Sequence, residues 1–68
     1  MLDKNTLIVL AYIKNHFSKT DEYLERIDLL STGLSDKDIN KSIDILENNA
    51  YINVNHKYIS APIEEINL

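Results

Sequence analysis

The chain has 68 residues, a formal net charge of −4, one glycine, one proline and no cysteine. That length holds one modest core, so residues 1–68 read as a single domain near the lower limit at which a fold sustains itself without staples. Apolar residues at 44% and charged residues at 26% exclude a disordered chain, and the missing cysteines exclude a disulfide framework or a thiolate zinc site.

The longest apolar run, Leu7 to Ile13, is far too short to span a bilayer. Asp3 and Lys4 cancel beside it, which removes the basic region a secretory leader needs. These features predict a cytoplasmic protein with no membrane association. The heavy use of Ile, Asn and Lys suggests an AT-rich bacterial or phage gene.

The first element runs from Asp3 to Phe17. Leu7, Leu10, Ala11, Lys14 and Phe17 fall at the i, i+3, i+4 spacing of one helical face, with Ile13 beside it. Asp3 or Asn5 supplies an N-cap. The β-branched Ile8, Val9 and Ile13 also fit a buried strand, but the pattern is too long for one. Ile8, Val9 and Tyr12 lie off the main stripe, and a helix apolar on several faces is buried on several faces. Together with Ile63 and Ile66 of the tail they predict a homodimer surface; Leu68 adds to the apolar tail.

Thr20 then caps a second helix with its apolar stripe at Tyr23, Leu24, Ile27 and Leu30, opposed by Glu22, Glu25, Arg26 and Asp28. Gly33 stands just past it, where a left-handed residue is wanted. Ser35-Asp36-Lys37-Asp38 is a capping pattern for a third helix carrying Ile39, Ile43 and Leu46 on one face, with Ser42 small between them. Asn49 is its predicted left-handed terminator. From Tyr51 the period becomes two: Tyr51 to Asn55 is answered by Lys57 to Ser60 across a tight turn, with Ile52 or Val54 opposite Ile59 according to the turn. Pro62 ends the second strand or opens a short final turn.

Leu34-Ser35-Asp36-Lys37-Asp38-Ile39 and Leu46-Glu47-Asn48-Asn49-Ala50-Tyr51-Ile52 resemble the turn and the helix-to-wing junction of winged helix-turn-helix proteins. The resemblance covers residues 20–60 and is to the superfamily more than to any one member; small phage and prophage winged-helix proteins of the YjcQ kind are one group that it resembles. Ala50 departs from it, since glycine is commoner there. The resemblance implies an α+β fold, mostly α: three helices followed by a two-stranded β-hairpin wing. It also implies a DNA-binding transcription regulator whose third helix enters the major groove. On that reading Lys37 and Lys41 contact phosphate or guanine, Asn40 reads adenine, and His56 and Lys57 touch the backbone from the wing.

Charge argues the other way. Residues 1–20 sum to +2 and 37–57 to zero, but 21–36 carry −4 and the tail −2. Affinity for DNA comes largely from neutralised phosphates, so a monomer binds weakly and a dimer is needed to double the basic contacts. The competing expectation is an acidic winged-helix module that docks on a protein partner and does not bind DNA. An enzyme is not expected. His16 and His56 have no zinc-ligand spacing, there is no phosphate loop or nucleophile motif, and no metal or cofactor is implied.

Overall fold

The structure, a computed structural model, describes residues 2–67. Helix α1 (Lys4–Lys19), a 3-10 helix (Arg26–Thr32), helix α2 (Asp36–Asn48) and strands β1 (Ile52–Val54) and β2 (Ile63–Ile66) follow in that order. The two strands pair antiparallel. Three helices and then a hairpin make the mostly helical, winged-helix-like α+β layout expected from the sequence. Among the described residues, no helix is long and apolar enough to cross a membrane. Leu68 of the predicted apolar tail lies outside the described residues.

Asp3 starts α1 by accepting the Thr6 amide on its carboxylate at 2.8 Å. The buried face of this helix matches the predicted stripe only in part: Ile13 is buried and Leu10 and Phe17 pack half-buried against the core. Thr6, Val9 and Ile13 are enclosed, whereas Leu7, Ala11 and Lys14 face solvent. The fit against α2 decides between the faces. Thr6 and Ser42, both buried, meet with their hydroxyl oxygens 3.4 Å apart, and these small side chains allow close approach. A leucine at that crossing would hold the helices apart.

This rotation overturns two members of the expected dimer surface. Val9 and Ile63 are both at 0% exposure, inside the core. Ile8 is half-buried, and Tyr12 and Ile66 pack partly buried against the same core. The apolar surplus of α1 is absorbed within the fold, because α1 packs on α2, on the 3-10 helix and on β2.

The predicted second helix is much shorter than its pattern implied. Leu24 exchanges both backbone hydrogen bonds with Ile63, each 2.9 Å, and this bridge holds the chain around Leu24 extended. Thr20 therefore ends α1 rather than starting a helix, and its hydroxyl accepts the Glu22 amide at 3.2 Å. Only Arg26–Thr32 remains helical, as 3-10 turns that bury Leu29. Tyr23, Ile27 and Leu30, expected beside Leu24 on the buried stripe, are exposed instead.

The next junction matches its sequence. Gly33 sits at φ 87°, and the Ser35 hydroxyl accepts the Asp38 amide at 3.2 Å. Helix α2 buries Ile39, Ser42, Ile43 and Leu46. Its end differs in one respect: Asn49 has φ −97°, and Ala50, at φ 62°, takes the left-handed position. The amides of Ala50 and Tyr51 bond to the carbonyls of Glu47 and Leu46 at 3.0 and 2.9 Å, a Schellman closure. Asn49 contributes its side chain, donating to the Ile45 carbonyl at 2.8 Å.

The hairpin keeps its first strand and changes its second. Ile52 faces Ile66, Asn53 faces Glu65 and Val54 faces Ile63, with a bulge between Asn53 and Val54. Lys57–Ser60, the expected partner, lies in the loop before Pro62. Pairing with Ile59 would have buried one isoleucine; the observed register buries Pro62 and Ile63 and half-buries Ile66, and it gains the Leu24 bridge. Ile59 is left fully exposed at the tip.

Candidate interaction surface

The outer face of α2 carries Lys37, Asn40, Lys41 and Asp44, all exposed, because Ile39, Ile43 and Leu46 commit the opposite face to the core. Asn40 is engaged within the molecule. Its Oδ1 accepts from Arg26 Nη1 at 2.9 Å, while Arg26 Nε donates to the Ala61 carbonyl at 2.8 Å. One guanidinium thus ties the 3-10 helix, α2 and the wing loop together. Arg26 is thereby brought to the N-terminal half of α2, whose exposed face also carries Lys37 and Lys41. Asp3 offsets part of that charge. Its carboxyl lies below the ordinary value of 3.8 because Thr6 donates to it, from the side chain and then from the amide, and because the Lys41 charge is close.

His56 and Lys57 lie in the exposed loop. His56 Nε2 meets Glu47 Oε2 at 2.6 Å, so this side chain also has a partner inside the protein. The Asn55 side chain accepts the Lys57 amide at 3.0 Å, and the Asn55 amide donates to the Pro62 carbonyl at 2.9 Å. The loop is therefore braced at its base and free at its tip.

Sequence patterning did not reveal the apolar grouping beside this loop. The rings of Tyr23 and Tyr58 meet edge-on with centroids 6.3 Å apart. The Tyr23 hydroxyl donates to Glu64 at 3.1 Å and accepts from Asn55 at 3.3 Å. With the Leu24–Ile63 bridge and the Arg26–Ala61 bond, these contacts lay the start of the 3-10 helix along the wing. Five large apolar side chains are exposed on these two segments: Tyr23, Ile27, Leu30, Tyr58 and Ile59, with Ile27 72% and Ile59 107% accessible. Exposed Glu22, Glu25 and Asp28 border them. A helical reading hides this grouping, since it turns Ile27 and Leu30 inward and Arg26 outward.

His16 Nε2 donates to the Glu22 carbonyl, 2.7 Å away, and its ring lies edge-on to Phe17 at 4.7 Å. It fastens the link after α1. Among the described residues, no three His, Cys, Asp or Glu side chains are grouped to hold a metal ion. No protein family, curated protein or solved structure matches the chain.

Proposed function

We infer that this chain is a small winged-helix-like binding module that docks on a protein partner through the surface shared by the 3-10 helix and the wing loop. The observation that carries this reading is the concentration of exposed Tyr23, Ile27, Leu30, Tyr58 and Ile59 on two segments pinned to each other. Soluble monomers seldom leave grouped apolar side chains uncovered without a binding role. The acidic border makes DNA an unfavourable occupant of this surface and a basic protein face a favourable one. Cysteine-free composition supports a place in the cytoplasm, and the Ile, Asn and Lys usage supports a bacterial or phage accessory protein.

A DNA-binding regulator is the second reading, favoured by Arg26 at the N-terminal half of α2, whose exposed face also carries Lys37 and Lys41. Against it stand the engagement of Asn40 and His56 by Arg26 and Glu47, and the net charge of −4. Titration of fluorescent genomic DNA fragments at low salt separates the two readings. The docking reading expects no retardation. Retardation that Lys37→Ala and Lys41→Ala abolish, while Ile27→Asn leaves it intact, overturns the docking reading in favour of DNA.

A further inference from the structure

We propose that the acidic apolar surface takes as its occupant the outer face of α1 from a second copy of this chain, in a head-to-tail contact. The inference rests on the docking reading above and names its partner by charge. The first twenty residues are the only stretch with a clear positive balance, +2, and residues 21–36 carry −4. Both stretches expose apolar side chains. On α1 these are Leu7, 53% accessible, and Ala11, flanked by exposed Lys4 and Lys14. On the 3-10 helix they are Ile27 and Leu30, which share one edge because residues three apart eclipse in such a helix, flanked by Glu25 and Asp28.

A two-fold dimer built on either face alone would set that face against itself, lysines on lysines or carboxylates on carboxylates. Like-charge juxtaposition disfavours both arrangements. A reciprocal two-fold, with α1 of each copy on the 3-10 helix of the other, would stop at two chains and is distinguished by the growth beyond two that the head-to-tail contact requires. The heterologous contact sets Lys4 and Lys14 opposite Glu25 and Asp28 and covers Leu7 with Ile27. Each copy keeps one unused face of each kind, so the contact propagates into a chain or closes into a ring, according to the rotation between copies. Both faces are small, which puts the contact in the weak class, with a dissociation constant on the order of 0.1 mM.

Sedimentation of the full chain tests this with two variants changed only at exposed positions, Leu7→Asn and Ile27→Asn. The wild type is expected to gain mass steadily with concentration at low salt, and to lose that gain in about 0.5 M salt as the charge pairs are screened. Each variant alone is expected to stay monomeric, because every copy lacks one of the two faces. Mixed in equal amounts, they are expected to form a species that stops at two chains. A wild type that stays monomeric into the millimolar range, or stops at two chains, overturns the proposal, as does either variant dimerising alone. A synthetic lysine–leucine amphipathic helix serves as a separate probe of the surface. If it binds the wild type and not Ile27→Asn while the wild type stays monomeric, the docking surface stands and the second copy is excluded. If it fails as well, the docking reading falls too.

Discussion

Arg26 and Asn40 are joined by a 2.9 Å hydrogen bond between residues fourteen positions apart, and the same guanidinium holds the Ala61 carbonyl at 2.8 Å. The pair couples the wing loop to the outer face of α2 through one side chain. Ala61 itself sits at φ 43°, so the loop is fastened at a residue whose backbone is already strained.

Replacing Arg26 with alanine is expected to cost about 1–2 kcal/mol, since hydrogen bonds from a charged donor exceed neutral ones and this side chain is only half-buried. The larger effect is local. Amide exchange at Asn55, whose N–H reaches the Pro62 carbonyl, should quicken far more than at Ile43 in the core. Arg26→Lys should recover little, because a single ammonium cannot serve both acceptors in the guanidinium geometry.

Ala50 and Gly33 form a matched test of backbone strain. Both occupy left-handed positions, at φ 62° and 87°. Ala50→Gly should raise stability by about 1 kcal/mol, as relief of the left-handed penalty exceeds the added freedom of the unfolded chain. Gly33→Ala should lower it by a similar amount although a Cβ there meets nothing within 4 Å, so the cost is conformational rather than steric. Urea midpoints at constant m-value measure both. Equal and opposite shifts confirm that conformation alone sets them.

What the sequence disclosed was local. Ser35 and Gly33 announce a helix start and a helix stop within a few residues, and Ile39, Ile43 and Leu46 repeat with a period nothing else imitates. Such signals survive folding because their partners are neighbours in the chain. The second strand was not legible, because Ile63 is chosen over Ile59 by its bridge to Leu24, thirty-nine positions earlier. The face of α1 was ambiguous for a similar reason. Leu7 and Ala11 make as good a stripe as Val9 and Ile13, and the smallness of Ser42 on another helix breaks the tie. Lys37, Asn40 and Lys41 were readable as exposed simply because the α2 stripe excludes them. Arg26 was not, since a regular helix would have sent it to solvent, away from the wing.

Asp3 gives the chain an acid-sensitive start. Its carboxyl is held below the ordinary value by Thr6 donors and by Lys41, so the folded state favours the ionised form. A depressed folded-state pKa adds stability above the unfolded value, and that stability is lost as pH falls through the folded value. The contribution of Asp3 should therefore be constant at neutral pH and decay below about pH 4. Asp3→Asn retains an N-cap but cannot titrate. The stability gap between wild type and this variant should shrink from pH 7 to pH 2.5 in urea unfolding. A gap independent of pH would show that the ionised carboxylate is not what α1 uses.

The crossing of α1 and α2 at Thr6 and Ser42 is a close approach between two buried small side chains. Both side chains are buried, and among the described residues no buried side-chain nitrogen or oxygen lacks a hydrogen-bond partner. Thr6→Val keeps the volume and removes the hydroxyl that donates to Ser42 Oγ, leaving that buried oxygen without its donor at a cost of about 1 kcal/mol. Thr6→Val with Ser42→Ala removes both polar groups together and should cost less than the two single changes added. Ser42→Leu is of another kind. Its extra carbons have no space between helices brought this close, and the overpacking should cost about 3 kcal/mol. A domain of this size has only a few kcal/mol in reserve. Circular dichroism should therefore find Ser42→Leu largely unfolded at 37 °C, with the Thr6→Val/Ser42→Ala double variant close to wild type. If Ser42→Leu melts like the wild type, the smallness of that residue is not what selects the buried face of α1.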